Sequence, residues 1–341
     1  MQQPLDPTAT APTRVQRSQP SDPTTFSGPV TGTSHCAICG ETTVHLHLKA
    51  SSDRIPKVYR ITEEEHATCW DLWKCQTCGL IFSDWRLTDE ELAELYKRMQ
   101  DELYDREDEC RRLTFRGGLS LIADHHNHSQ NDPPAKPKST DSQTPRGRLL
   151  DIGCATGIFL EEARKQGWQV SGVDLSHWAI QQARQRELTV HEGDVYSLPD
   201  DGPYDIVTML DYIEHDATPG NLVAQCAKLL HQGGLLYITS PDIGGFTAKL
   251  LRSRWWGINP LHLYYFSRKC LTELLERQGF EVVITRAYRR TFTLGYWVSR
   301  LEHFHPLLGR SGAFLFRTLG LANIPIPINL YDMMEVIARK R

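Results

Sequence analysis

Residues 148–159 read R-L-L-D-I-G-C-A-T-G-I-F, an apolar run that breaks at glycine and reopens as a second apolar run. Leu149, Leu150 and Ile152 have the character of a buried strand, and Ile158, Phe159, Leu160 and Ala163 begin a helix. Between them, Gly153 and Gly157 allow a tight turn and a close approach of backbone to ligand, with the helix N-terminus facing that ligand. The spacing is G-x-x-x-G, not the dinucleotide pattern G-x-G-x-x-G, and an acid, Asp151, precedes it. A carboxylate there repels a pyrophosphate and suits a nucleoside ligand with a cationic end.

Working outward, Val170, Gly172 and Val173 form a second strand that ends in Asp174, 21 residues after Gly153. An acid at that offset holds ribose hydroxyls, and because dinucleotide folds use the same offset, spacing alone leaves NAD open. The segments DIGCATG (151–157), GVDLS (172–176), EGDV (192–195) and YDIVTMLDYIEH (204–215), in that order, resemble the class I S-adenosylmethionine-dependent methyltransferases. The resemblance covers residues 147–341, with Ala155 where many relatives have a middle glycine. It implies an α/β fold with a Rossmann-like seven-stranded methyltransferase sheet and S-adenosylmethionine as cofactor. The cofactor residues it implies are Asp151, Gly153, Cys154, Gly157, Asp174, Leu175, Asp194, Val195 and Asp211, with Asp174 on the ribose and Asp194 near the adenine amino group.

Length and charge bound the rest. A chain of 341 residues holds a full α/β domain and a smaller module. A net charge of −4 supplies no general basic field for nucleic acid or an anionic membrane, so nucleic acid is not expected as a partner. No uncharged apolar stretch is long enough to span a bilayer and no secretory leader is visible, which makes the cytoplasm the default expectation. In that setting the nine cysteines read as metal ligands and buried thiols.

Four of the nine fall in two C-x-x-C-G knuckles, Cys36 with Cys39 and Cys75 with Cys78, 35 residues apart. Glycine after the second cysteine permits the turn that aims backbone amides at thiolate sulfur, and four soft ligands suit a closed, structural Zn2+ site in a zinc-ribbon-like module. Cys69 is left over.

The organisation expected is a disordered tail over 1–33, a zinc-binding module over 34–86, a helical connector over 87–123, a disordered linker over 124–146 and a methyltransferase domain over 147–341. Thr88 with Glu91 is a helix-start signal, Tyr104 resembles an aromatic that relatives place over cofactor or substrate, and His125, His126 and His128 read as solvated linker. Within the last domain, residues 287–329 form an insertion where a hairpin needs two to five residues. Leu294, Trp297, Val298, Leu301, Phe304 and Leu308 share a helical face, and Phe314 to Leu321 continues the apolar character. A lid over the substrate cleft is the plain reading; a membrane-surface contact through 292–322 and a dimer face are alternatives, and the oligomeric state is not legible.

Methyl transfer to a hydroxyl or carbon acid needs a base at the cleft mouth. Tyr212, Glu214 and His215 are expected there, with His215 as base, Glu214 orienting it and Tyr212 assisting, and His262 is a second candidate for the base. Resemblance offers two roles. Asp211, Glu214 and His215 match positions that hold a divalent ion in ubiquinone-type O-methyltransferases, and Tyr212, Glu214 and His215 match catalytic positions of zinc-module sugar C-methyltransferases. The function expected is methyl transfer to oxygen or carbon of a small-molecule acceptor, whether sugar, quinol or lipid-linked. The rival reading is a catalytically silent protein of the same fold whose zinc module binds a partner.

Overall fold

A computed structural model describes residues 36–50, 69–85, 87–100, 108–127, 145–198, 202–298, 316 and 318–341. The tail 1–33, Tyr104, His128, Leu301, Phe304, Leu308, Phe314 and Leu315 lie outside the described residues, as does most of the span 292–322.

The central element is a seven-stranded sheet. In chain order, β1 (Val44–Leu48), β2 (Leu72–Cys75) and β3 (Ile81–Ser83) precede helices α1 (Asp89–Lys97) and α2 (Asp108–Asn127). Then follow β4 (Arg148–Ile152), α3 (Ile158–Lys165), β5 (Gln169–Asp174), α4 (His177–Gln185), β6 (Val190–Glu192), β7 (Tyr204–Leu210), α5 (Pro219–Leu229) and β8 (Leu230–Pro241). The chain continues through α6 (Phe246–Leu251), β9 (Tyr264–Tyr265), α7 (Arg268–Arg277), β10 (Phe280–Ala287), β11 (Arg290–Thr293), β12 (Pro325–Ile328) and β13 (Met333–Lys340).

The large sheet has the order β10-β13-β8-β7-β4-β5-β6. Strands β4 to β8 pair in parallel, and β13 runs against both β8 and β10. β13 thus makes two antiparallel pairings, while β10 beyond it runs with the parallel set. One face of the sheet carries α2, α3 and α4 over Phe159, Leu160, Ile180 and Ile206. The other carries α5 and α7 over Val207, Leu222, Leu236 and Leu274, and the knuckle residues Cys36, Cys75 and Cys78 join that same core. Burial of this kind is worth about 25 cal/mol per Å² of apolar surface.

Helix starts follow their signals. Thr88 accepts from the Glu91 amide at 3.1 Å and the Glu91 carboxylate accepts from the Thr88 amide at 2.7 Å, a full capping box for α1. The connector's second helix runs to Asn127, so His125 and His126 sit in its last turn and not in a linker beginning at 124. Arg112 reaches Glu161 and Glu162, each at 2.8 Å, and fastens α2 to α3. Inside the 287–329 insertion, β11 and β12 pair antiparallel despite Pro325 and Pro327, whose exposed side chains alternate with half-buried Ile326 and Ile328. No helix among the described residues is long and apolar enough to cross a membrane.

Candidate active site

The strand order reverses at β4: the chain leaves β4 toward β5 on one side, and β7 lies on the other. Ligands of open α/β sheets gather beyond the carboxyl ends of the strands at such a switch point. The turn after β4 and the turn after β7 both face that crevice.

In the first turn, the Gly153 and Cys154 amides donate to the Val173 carbonyl at 2.8 and 3.1 Å, locking β4's exit onto β5. Gly153 has φ 75° and Gly157 φ 81°, a region where side chains are strained, as expected of the glycine turn. The space beside each glycine is nevertheless filled by protein. A Cβ on Gly153 would come within 2.4 Å of the Tyr212 ring, and one on Gly157 within 2.3 Å of Leu188. These glycines thus serve close packing, and Tyr212 covers the turn.

The Asp174 carboxylate accepts from the Ala155 amide at 2.9 Å and the Ser176 amide at 2.8 Å, which braces it at the end of β5. Leu175 beside it is half-buried, and Cys154 and Val195 are core residues. The exposed Asp194 spends one oxygen on the amides of Tyr196 and Ser197, closing the turn after β6. Asp151 is 1% exposed and accepts from the Thr208 hydroxyl at 2.6 Å.

Burial lifts the Asp151 carboxyl to about 7, opposed by Thr208 and reinforced by the charge of Asp174. A raised acid contributes stability that is complete below its unfolded pKa near 4 and is lost as pH climbs through about 7. A cationic ligand needs the ionised form. Affinity for S-adenosylmethionine is therefore expected to rise between pH 6 and 8, by up to about tenfold per unit below the folded pKa, and to flatten in Asp151→Asn. Titration calorimetry across that range checks it; a flat profile in the native chain would contradict the assignment.

The second turn begins at Asp211, held at φ 53°, a strained value for a side chain other than glycine. Its carboxylate accepts from the Thr239 hydroxyl at 2.9 Å. The 3-10 turn 213–215 that follows presents Glu214 and His215. Ligand atoms of Glu214, His215 and His262 lie within 4.8 Å of one another, and the two imidazole rings meet at 4.8 Å between centroids. His262, 47 residues beyond His215, thus joins the cluster in place of Asp211.

Each imidazole has its Nδ1 on a backbone carbonyl, His215 on Leu261 at 3.0 Å and His262 on Gly257 at 2.9 Å. Donation there fixes the tautomer of each ring and makes Nε2 the nitrogen that carries the lone pair, as in metal-binding and basic histidines. The expectation that Glu214 orients His215 is corrected: its carboxylate accepts from the Ser240 hydroxyl at 3.0 Å. His215 is held instead by Leu261 and by Tyr96, whose hydroxyl lies 2.9 Å from Nδ1. Nothing in the local sequence around Tyr96 marks it for this place. Tyr212, turned onto Gly153, belongs to the cofactor side of the crevice.

Burial lowers the His215 imidazole to about 4, against the Leu261 carbonyl and Asp211, so it is neutral but a weaker base than a free histidine. Burial also pushes the Glu214 carboxyl well above the usual carboxylate range, with the charge of Asp211 adding. Glu214 is 1% exposed, and its Oε1 has no hydrogen-bond partner. A buried carboxylate with one orphaned oxygen, its ligand atom within 4.8 Å of an imidazole nitrogen from each of two histidines, is a donor set that fits a divalent cation.

The four knuckle thiols form a second cluster. Sγ atoms of Cys36 and Cys78 are 3.4 Å apart and those of Cys39 and Cys75 3.5 Å, and all four lie within 4.8 Å. A tetrahedral zinc with Zn–S of about 2.3 Å sets its sulfurs about 3.8 Å apart. The knuckles repeat one geometry, with Gly40 at φ 76° donating to the Cys36 carbonyl and Gly79 at φ 79° donating to that of Cys75.

Fold and site together define a Rossmann-like seven-stranded sheet with a crevice at its switch point. Residues 121–285 match a family model described as a methyltransferase domain. The chain is 37% identical over 101 residues to a ubiquinone biosynthesis O-methyltransferase of Burkholderia lata, covering 27% of this chain and 44% of the relative. It is 30% identical over 117 residues to that of Thiobacillus denitrificans, covering 31% and 50%. The chain thus spans about half the length of these curated relatives. Among solved structures, an S-adenosylmethionine-dependent methyltransferase from Archaeoglobus fulgidus overlaps with a TM-score of 0.45 at 20% identity, covering 70% of this chain and all of the other. Residues 121–285 of the chain are thus similar to a methyltransferase domain.

Proposed function

We propose that this chain transfers a methyl group from S-adenosylmethionine to an oxygen or carbon of a small-molecule acceptor. The observation that carries the reading is the crevice itself: the braced turn with Asp151 and Asp174 and the cluster of Glu214, His215 and His262 open at one edge of one sheet. The relatives' printed activity, O-methylation, supports oxygen as the acceptor atom. A silent protein that binds a partner through its zinc module is not favoured, since it has no use for a buried carboxylate clustered with two histidines beside the first turn.

S-adenosylmethionine, when bound, supplies an electrophilic methyl carbon on a sulfonium. Asp151 would balance its ammonium group, Asp174 would receive ribose hydroxyls, and Tyr212 would close over the turn and exclude water. His215 and His262 would take the acceptor's proton at Nε2, with their rings held by backbone carbonyls. A second reading is favoured by the orphaned Oε1 of Glu214: Glu214, His215 and His262 would hold a divalent ion that makes the acceptor more acidic. Cys36, Cys39, Cys75 and Cys78 would bind one structural zinc, in a module over 34–86 joined by a connector to the domain over 147–341.

The test is production of S-adenosylhomocysteine in the presence of sugar nucleotides, quinols or lipid-linked glycans, with binding of the cofactor measured separately. Losing a charge-assisted hydrogen bond costs about 1.5 to 3 kcal/mol, so Asp174→Ala should weaken cofactor binding by about tenfold or more. Unchanged affinity in that variant, read by calorimetry, would refute the ribose assignment.

A further inference from the structure

The cysteine module does not stand apart from the crevice. Its second knuckle, residues 75–79, is the hairpin turn between β2 and β3, closed by the Cys75 amide on the Leu80 carbonyl at 2.9 Å. Strand β3 then pairs with β9, which begins two residues after His262, so that β1-β2-β3-β9 form one sheet. Leu263 is the bridge: its carbonyl accepts from the Ser83 amide and its own amide donates to the Glu214 carbonyl, both at 2.8 Å.

Further ties run the same way. The Trp70 indole donates to the Pro260 carbonyl at 3.1 Å, the Cys270 thiol donates to the Cys78 carbonyl at 3.2 Å, and Trp85 packs edge-on against Tyr264. Past the module, α1 delivers Tyr96 to His215, and the Met99 carbonyl accepts from Ser176 beside Asp174.

We infer that the four-cysteine module is a positioning element of the acceptor site, whose metal-bearing hairpin fixes residues 259–265 and so sets where His262 stands relative to Glu214 and His215. The physical reason is that 259–265 contains only a two-residue strand, too short to hold its own register, so that its turn around Asn259 is placed by pairing with β3 on one side and with Glu214 on the other. The inference rests on the reading of that cluster as the acceptor side of the crevice.

The experiment is amide hydrogen exchange on the full chain, zinc-loaded and after zinc removal by a chelator, with S-adenosylhomocysteine affinity measured on the same samples. Zinc removal is expected to speed exchange at 259–265, Leu263 above all, by about tenfold or more while β4, β5 and β7 keep their protection. Cofactor affinity should stay within about twofold, because the turn after β4 is braced by β5 and not by the module. Trp70→Phe removes one indole donor and leaves the cysteines in place; it should retain zinc and still speed exchange at 259–265. Unchanged exchange there on zinc removal would overturn the inference, and so would loss of protection in β4, β5 and β7 together, since the module would then be a general stabiliser. Failure of the native chain to bind S-adenosylhomocysteine would instead strike the methyltransferase reading and leave the exchange result standing.

Discussion

His262→Ala is expected to lower the rate of methyl transfer by about 10² to 10⁴ while leaving cofactor affinity within about twofold. The ring is 6% exposed, its Nδ1 is committed to the Gly257 carbonyl, and its ligand atom lies within 4.8 Å of an imidazole nitrogen of His215 and a carboxylate oxygen of Glu214. Removing it deletes a third of that donor set without touching Asp151 or Asp174. His215→Ala should act to a similar extent. Glu214→Gln separates the two versions of the chemistry: a proton-accepting imidazole pair tolerates an amide at 214, whereas a cation site does not. In the cation version, a chelator that leaves the thiolate zinc in place should abolish turnover, and an added divalent ion should restore it. Full turnover by both histidine variants, on whichever acceptor the screen yields, would remove the cluster from the chemistry altogether.

Changing Cys36 and Cys39 together to serine is expected to release the zinc and to unfold β1 to β3. Structural zinc contributes about 10 to 16 kcal/mol of binding free energy in small zinc-finger peptides, which is folding free energy where a module has little core of its own. Here β1 is largely exposed and none of the three strands exceeds five residues, so although β3 is buried the pairing is too short to hold the knuckle turns without the metal. Metal content should fall below about half an equivalent, and Cys75 and Cys78 should become open to alkylation. Zinc content equal to that of the native chain, with those thiols still protected, would show that the four sulfurs are not one site.

Much of this architecture is legible in the sequence because it is local. The turn 151–157, the acid that ends β5, the capping box of Thr88 and Glu91 and the paired knuckles each declare themselves within a few residues. What is illegible is contact between distant segments. A two-residue strand such as β9 has no periodicity to find, and its pairing with β3 joins residues more than 180 apart. Tyr96 reads as one apolar position on α1, and only the folded chain brings its hydroxyl to His215. Burial is equally hidden: histidine at 215 suggests a base of ordinary strength, and only the packed environment reveals the lowered affinity for protons. The prolines at 325 and 327 argue against a strand that nonetheless forms, because in a two-stranded sheet β12 has an open edge where the missing backbone donors need no partner.

The place of β13 in the sheet has a consequence for how the protein comes into being. The strand latest in the chain lies between β8 and β10, both made before it, and along its length bonds to each of them. A nascent chain that has not yet delivered residues 333–340 to solution leaves the flank of β8 unpaired and gives β10 no place to dock. The ribosome therefore emits a sheet of five paired strands with an open border at β8, and closure waits on the arrival of one late segment. Such an edge is the kind that captures other chains. Yield during synthesis should thus depend on how quickly β13 follows β10, and on what shelters the gap in the interval.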